Sequence, residues 1–280
     1  MHYTICIVRP SGYPHSSAFT ELAEVIGYAL EDLGNVVQFT ENDVVPGSRN
    51  IVIGCHLADP QTSGDLPADT IIVNTEQLHV DELSWNENVY FWASHYETWD
   101  YNERNIAKLR SRGIMHAKYL KLGFHPKMRR ISSSPEQDID VLFYGSTGPR
   151  RLAILDSLRA RGLMLSAVFN VYGEARDSLI ARSKVVLNLH HSASQIFEIV
   201  RVFFLMSNAK AVVGEVSSQT AIDPVYTDGF RAVPYDGLVD ACVELVRDAE
   251  ERKRLEAAAL ATIGRYPQAE LLAPLLVPDR

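Results

Sequence analysis

The chain has 280 residues, 46% of them hydrophobic and 22% charged, with a formal net charge of −8; this is the balance of a globular protein, not of a disordered or fibrous one, and it is long enough for two modest domains. No apolar run approaches the length of a membrane span, and the first residues lack the basic flank and apolar core of a signal peptide, so a cytoplasmic location is expected. The three cysteines, Cys6, Cys55 and Cys242, are odd in number and widely spaced among apolar neighbours, and they read as reduced core thiols.

Charge is unevenly spread. Residues 1–100 hold fifteen acids and two bases, whereas residues 101–131 hold nine bases and one acid. A duplex would be repelled by the first region, because nucleic-acid binding rests on neutralised phosphates, so no nucleic-acid partner is expected. The basic stretch bounded by Arg104 and Arg130 has two readings: a solvated helix face that balances its own acidic domain, or a contact for an anionic acceptor or a membrane surface.

Residues 3–8 alternate β-formers and lead into a turn-rich loop that ends at His15. Residues 18–33 carry Leu22, Val25, Ile26 and Leu30 at helical spacing, with Gly34 as the stop. Strands are expected at residues 50–54 and 70–73, the second nearly all apolar, as a parallel sheet covered on both faces requires. All three tryptophans, Trp85, Trp92 and Trp99, fall in a segment of weak periodicity, read as a short helix or loop near Val89 and then a strand ending at Asp100. Such aromatic faces suit the apolar faces of a ligand, and the segment is expected to wall a binding pocket, for an acceptor if the chain handles sugars. Asn102 is placed as the N-cap of a helix over residues 103–112, with Gly113 at its end, and a last strand near residues 117–120. Residues 1–131 then form one Rossmann-like domain, residues 132–137 a polar, proline-containing linker.

A second βα rhythm follows. Residues 140–145 form a strand that stops at Gly145 and Ser146 and turns into a helix opening on Arg150 and Arg151. Free backbone N–H groups, a helix dipole and two guanidinium groups meet there, an arrangement suited to a phosphate; the alternative is an ordinary βα turn with solvated arginines. Next come a strand over residues 168–173, a helix over 174–183, a strand over 184–190 and a helix in which Ile196, Val200, Phe203 and Phe204 make an apolar stripe. Glu198 and Arg201 share that helix's other face, either toward a ligand or as a solvated ion pair. A strand over residues 210–215 closes the series, and looser elements at 231–234, 237–247 and 250–263 complete a domain spanning 138–264.

Five other chemistries fit poorly. Asp138 and Asp140 spell the Asp-x-Asp of metal-dependent GT-A enzymes, but at the entry of a strand, whereas ligands of open α/β sheets gather at the carboxyl ends. His190 and His191 point apart on a strand and lack a third ligand at metal spacing. Neither Gly-x-Gly-x-x-Gly, Gly-x-Ser-x-Gly nor a Gly-Lys-Ser/Thr phosphate loop occurs, which sets aside oxidoreductases, α/β-hydrolases and P-loop enzymes.

Gly145-Ser146, Pro149-Arg150-Arg151, Tyr172-Gly173, the Leu-Asn-Leu-His run with Asn188 and His190, and Glu198-x-x-Arg201 ahead of a Val-Val strand together resemble the C-terminal half of GT-B glycosyltransferases, in particular the spore-maturation-type "glycosyl transferase group 1" branch. The resemblance covers about 80 residues. It implies two Rossmann-like α/β domains facing across a cleft, with the tail at residues 265–280 packing back on the first domain. The implied activity is transfer of a sugar from a nucleotide-sugar donor to a glycan, lipid-linked or other cellular acceptor, without metal or cofactor. Donor contacts would come from Gly145, Ser146, Arg150, Arg151, Tyr172, Gly173, Asn188, His190, Glu198 and Arg201. Where the larger retaining branch has a second, ribose-binding glutamate, this chain has Phe204, so Glu198 or Glu215 would have to substitute. An inverting mechanism needs a base near the acceptor hydroxyl, and strand-end positions of the first domain offer His15, Glu76 and Asp100. The competing classes are a non-catalytic nucleotide- or sugar-binding module of GT-B shape and a phage-type DNA glycosyltransferase.

Overall fold

The computed structural model describes residues 1–61, 63–78, 84–191 and 195–277, the side chains of Ser84 and Trp85 excepted. The chain divides into two compact units, Met1–His125 with Pro267–Arg280, and Pro126–Tyr266.

In the first unit β1 (His2–Ile7) leads through a 3-10 segment (Pro14–Phe19) into α1 (Thr20–Asp32), which buries Leu22, Val25, Ile26, Ala29 and Leu30 at helical spacing. Then follow β2 (Val36–Glu41), β3 (Arg49–Ile53), β4 (Ile71–Asn74), α2 (Ser84–His95), β5 (Glu97–Asp100), α3 (Glu103–Ser111) and β6 (Lys118–Tyr119). All strand pairs are parallel, in the order β2-β1-β3-β4-β5-β6. Asn102 caps α3 as expected, its side chain accepting from the Arg104 N–H at 2.9 Å. The weakly periodic tryptophan segment forms a three-turn helix, α2, and then the expected strand ending at Asp100, β5. Tertiary burial supplies what periodicity lacks: Val89, Tyr90 and Ala93 pack with Leu78, Ile106 and Leu109, and Trp92 packs with Cys6, Val52, Cys55 and Ile72.

The second unit contains β7 (Ile139–Tyr144), α4 (Pro149–Ala160), β8 (Leu165–Val168), α5 (Gly173–Arg182), β9 (Ser183–Asn188), α6 (Ile199–Ser207), β10 (Val212–Glu215), β11 (Arg231–Val233), α7 (Leu238–Arg247) and α8 (Ala249–Gly264). Its sheet is again all parallel, in the order β11-β10-β9-β7-β8. Val141, Phe143, Val185 and Leu187 fill its core against Leu155, Leu158, Leu238 and Leu245. Two elements differ from expectation. The strand read at 168–173 ends at Val168, because Asn170 at φ 59° and Gly173 at φ 56° turn the chain there. The helix bearing the Phe203 stripe begins at Ile199, so Ile196 lies before it, paired instead with Ala221 in an isolated bridge.

Residues 132–137 lie inside the second unit, where the Ser134 N–H donates to Ala181 O at 2.9 Å and Gln137 Nε2 to Ser183 O at 3.0 Å. The chain crosses between units at His125/Pro126 and again at Tyr266/Pro267. The last helix, α9 (Gln268–Leu272), belongs to the first unit and packs on α1. Gln268 anchors it: the buried side chain accepts from the Gly123 N–H at 2.6 Å and donates to Lys121 O at 3.0 Å.

Counted within each unit, both sheets run 2-1-3-4-5, with a sixth strand added in the first. This order reverses direction between strands one and three, and in open parallel sheets that reversal leaves a crevice at the carboxyl ends of those strands. The crevices are β1/β3 in the first unit and β7/β9 in the second. Among the described residues no helix is long and apolar enough to cross a membrane.

Candidate functional site

At the β7/β9 reversal the chain gathers three arginines and two glutamates. Gly145 follows β7 at φ 143°, a conformation that disfavours side chains, and a Cβ there would stand 3.2 Å from Arg201 Nη2. The glycine therefore lets the backbone pass close under the guanidinium groups. α4 opens on Gly148 and Pro149, and no side chain caps its N-terminus. The first-turn amides of that helix are left for an outside acceptor.

Arg151 is buried at 3% exposure and fastens the site together: Nη1 donates to Ser146 O at 2.8 Å, Nη2 to Leu189 O and to Glu198 Oε1, both at 2.8 Å. The second oxygen of Glu198 meets Arg201 Nη1 at 2.7 Å, and the same Nη1 reaches Asn188 Oδ1 at 3.1 Å. Burial by itself would raise the Glu198 carboxyl, but Arg201, Arg151 and His190 outweigh it and hold the group below its ordinary range. Arg150 lies flat on Tyr235, 4.0 Å from the ring centroid, and forks onto Glu215 with Nη1 to Oε2 at 2.7 Å and Nη2 to Oε1. Glu215 also accepts the His190 N–H at 3.0 Å. Burial lowers the His190 imidazole and favours its neutral form, with Nε2 3.3 Å from Thr220 Oγ1.

Three guanidinium groups against two carboxylates leave one positive charge uncompensated. Among the described residues, two buried donors, Arg151 Nε and Asn188 Nδ2, find no hydrogen-bond partner. Unpaired buried donors beside surplus positive charge and uncapped helix amides are an arrangement suited to an anion with several acceptor oxygens. Arg150, with its side chain 36% exposed, and Arg201, at 17%, present the charge outward, whereas Arg151 is the internal brace.

Gly145, Ser146, Arg150, Arg151, Asn188, His190, Glu198 and Arg201 thus come together as the sequence suggested. Tyr172 and Gly173 stand one strand out, at the N-terminus of α5 beyond edge strand β8. Neither substitute for a ribose-binding glutamate is spare, since Glu198 and Glu215 are both committed to arginines, and Phe204 is buried between Arg130 and Arg176. Sequence reading missed the roles of Glu215 and Tyr235 as partners of Arg150; the position of Glu215 at the carboxyl end of β10 was the available signal.

The first unit's reversal carries different chemistry. His56 sits in a 3-10 turn (Cys55–Leu57) after β3, reached through Gly54 at φ 91°, where a Cβ would meet Phe19 at 2.9 Å. Its Nε2 lies 3.3 Å from Glu76 Oε1, and the Glu76 side chain keeps 28% of its surface exposed. Burial pushes the Glu76 carboxyl up to about 7 and the His56 imidazole down to about 4. Tyr13, in the loop after β1, is raised by burial and by the nearby Glu76 charge. His15 is the neighbour of Tyr13, the two rings packed edge to face at 4.9 Å.

Asp100 corrects the sequence reading. It is fully buried and cannot reach an acceptor; instead its two oxygens take the Asn102 N–H at 2.8 Å, Asn105 Nδ2 at 3.1 Å and Asn74 Nδ2 at 2.6 Å. Burial nevertheless raises its carboxyl to about 7. Asn74 and Asn105 pass this order on, both donating to Glu76 O, at 2.9 and 2.7 Å, while Asn74 Oδ1 accepts the Glu76 N–H at 3.1 Å. The tryptophan wall is likewise corrected: Trp92 and Trp99 are core residues, their indoles donating to Ala58 O at 3.2 Å and to Glu97 Oε1 at 2.9 Å, while the side chain of Trp85 lies outside the described residues. The basic stretch is divided between the two units, and Arg112, Lys118 and Arg130 pair with Glu87, Glu97 and Asp177. Asp138 and Asp140 pair with Arg182 and Lys184 at the entry of β7.

No family model matches the chain. An uncharacterized protein of Acanthamoeba polyphaga mimivirus, L140, is 25% identical over 215 residues, 75% of this chain and 70% of that protein. A second, R358, is 24% identical over 261 residues, 87% and 88% of the two chains. Two further uncharacterized mimivirus proteins match at 30% over 127 and 25% over 228 residues, and of these the match spans only 14% and 30% of their length. Among solved structures, Anabaena HepE in complex with UDP and glucose aligns with TM-score 0.62 at 12% identity over 98% of both chains. T4 phage BGT in complex with its UDP-glucose substrate aligns at 0.59 and 13% over 98% of both. WaaG, a glycosyltransferase involved in lipopolysaccharide biosynthesis, aligns at 0.61 and 9% over 99% of this chain and 100% of that one. TarM aligns at 0.54, the match spanning 54% of its length. The fold, two Rossmann-like α/β units in one chain, is that of GT-B glycosyltransferases.

Two substitutions test these assignments. Asp100→Ala removes a buried acceptor from three hydrogen bonds and strands the Asn102 N–H, and is expected to cost about 3 kcal/mol of stability, read as a lower denaturation midpoint. Gly145→Ala forces a Cβ into a disfavoured conformation against Arg201, and calorimetry should show a loss of about 1–3 kcal/mol.

Proposed function

We propose that this protein is a glycosyltransferase of the GT-B type that moves a sugar from a nucleotide-sugar donor to a hydroxyl acceptor. The second unit binds the donor's diphosphate and the first unit serves the acceptor, a glycan or another small hydroxyl compound. The observation that carries the reading is the uncompensated guanidinium charge with two partnerless buried donors beside an uncapped helix N-terminus. A diphosphate offers matching oxygens and negative charge. Arg150, Arg201 and the α4 amides would take up the charge that grows on the departing diphosphate, so the transfer is proposed to need no metal. Glu198-x-x-Arg201 is the ground for placing it in the group 1 branch, and the buried free thiols accord with a cytoplasmic setting.

Glu76 is the proposed base. The acceptor oxygen bonds to the anomeric carbon, the bond from that carbon to the diphosphate breaks with its electron pair leaving on phosphate, and the acceptor proton passes to Glu76. Among the three sequence candidates, Glu76 alone combines an accessible carboxyl with a pKa of about 7, near the working pH. One observation favours a second reading, a nucleotide-binding module without catalysis: the buried Phe204 at the expected ribose position. The acid-rich first hundred residues argue against DNA as acceptor.

Thermal shift against nucleoside diphosphates separates these readings from failure. UDP, the nucleotide bound to HepE, is the first to test, and at 100 times its Kd it should stabilise the native protein by about 2.7 kcal/mol. Arg150→Ala should weaken that shift and slow transfer by about 100-fold; binding without any release of diphosphate from UDP-glucose in cell extract would favour the module. The pH profile supplies the other test. A base must be deprotonated, so kcat/KM should rise about tenfold per pH unit below the Glu76 pKa of about 7 and level off above it. Glu76→Gln should remove that limb, and an unchanged profile would reassign the base.

A further inference from the structure

The mechanism above uses Glu76 but leaves its neighbour His56 without a role. His56 is 6% exposed and is held on several sides: its ring stands edge-on to Phe19 at 5.9 Å, and its carbonyl accepts Asn88 Nδ2 at 3.0 Å. Glu76 has its backbone fixed from the other side, by Asn74 and Asn105, which Asp100 orients. The one part of Glu76 free to choose a direction is its side chain, and Nε2 of His56 meets it at 3.3 Å.

We propose that His56 is a positioning residue for Glu76: a neutral imidazole that donates its Nε2–H to Glu76 Oε1, fixing one carboxylate oxygen and leaving the other directed to an acceptor hydroxyl. This rests on the reading of Glu76 as the base. A neutral donor suits the task better than a cation. An imidazolium or arginine at that distance would hold the carboxylate far below neutrality and make it a weak base, whereas no donor at all would leave burial to push it up and keep it protonated. Burial keeps His56 uncharged through the working range, its imidazole lowered to about 4. Among the described residues, the titratable groups around Glu76 are Tyr13 from the loop after β1, His56 from the turn after β3, and Asp100 at the end of β5, connected through Asn74 and Asn105. None of these is a cation at pH 7.

The experiment is an NMR titration of the full-length protein with ¹³C-labelled glutamate carboxyls, the Glu76 signal being assigned by its loss in Glu76→Gln. His56→Phe removes the donor while keeping a ring against Phe19, and the Glu76 midpoint should rise by about one pH unit. His56→Gln, which restores an N–H donor, should bring it back toward the wild-type value. A folded His56→Phe with an unmoved midpoint overturns the proposal. Should His56→Phe fail to fold, the wild-type protein decides by itself: ¹⁵N imidazole spectra at pH 8 are expected to show His56 neutral with the proton on Nε2, and a bare Nε2 or an imidazolium overturns the assignment. These readouts need no substrate. A missing UDP shift would therefore count against the glycosyltransferase reading and leave the His56 contact standing, while a normal UDP shift with an unmoved Glu76 midpoint would remove the contact alone.

Discussion

The second unit's site depends on the pairing of Arg151 with Glu198. A guanidinium as deeply buried as Arg151 loses several kcal/mol of hydration, which is recovered only if its charge and its N–H groups find close partners. Glu198 supplies the charge, and two carbonyls, Ser146 O and Leu189 O, supply hydrogen bonds. Because those carbonyls belong to the loops after β7 and after β9, the same side chain ties the two walls of the crevice to each other. Glu198 then has an oxygen left for Arg201, so one buried ion pair fixes a second arginine at the surface. The outward-facing charge is a consequence of the inner pair; remove Glu198 and three guanidinium groups would repel one another.

The two units share a strand order but use their crevices differently. In the second, arginines enter from α4 and α6 and the net charge is positive. In the first, the corresponding loops bring Tyr13, His56 and Glu76, and the arginine they carry, Arg9, is paired with Glu41. A parallel sheet fixes where a ligand can sit, at the carboxyl ends beside the reversal, and leaves the chemistry to whichever side chains the loops carry. The division matches the needs of glycosyl transfer, whose leaving group is an anion and whose nucleophile must lose a proton.

The strand-and-helix rhythm of both units was legible because parallel strands buried on both faces are short apolar runs, as at Ile71 to Val73, and because Gly145, Pro149 and Asn102 punctuate their turns in the expected way. Three things were hidden. The helix α2 buries Val89, Tyr90, Trp92 and Ala93 but carries Phe91 on its exposed face, and apolar residues on both faces blur its period, so that Trp92 looked like a surface feature and is core. Asp100 and Glu76 look equivalent in sequence, both acids at strand ends; only the three-dimensional placement of Asn74, Asn102 and Asn105 buries one and spares the other. The ion pairs of Arg150 and Arg151 join residues 65 and 47 positions apart, beyond any local pattern. Sequence spacing put Glu198 and Arg201 together, and could not say that Arg151 would join them.

One property of the composition does reach the chemistry directly. The first hundred residues contain only two bases, Arg9 and Arg49, and both are spent at other points, Arg9 on Glu41 at 2.9 Å and Arg49 on Glu97 at 2.8 Å. The acids at the carboxyl ends of β4 and β5 therefore meet amides and a neutral imidazole where the glutamates of the second unit meet arginines. With no cation to oppose it, burial prevails, and that is why Glu76 and Asp100 both rise to about 7, Asp100 in spite of its amide donors, while Glu198, held by arginines, falls. A carboxylate tied to a cation is a counter-ion, too weak a base to accept an alcohol's proton at neutral pH; one surrounded by neutral donors retains its basicity. The shortage of lysine and arginine in the first hundred residues, which in the sequence reads only as an acidic bias, is thus the condition that suits Glu76 to the proposed role of proton acceptor, and the abundance of arginine around β7 and β9 is what makes the second unit's acids structural.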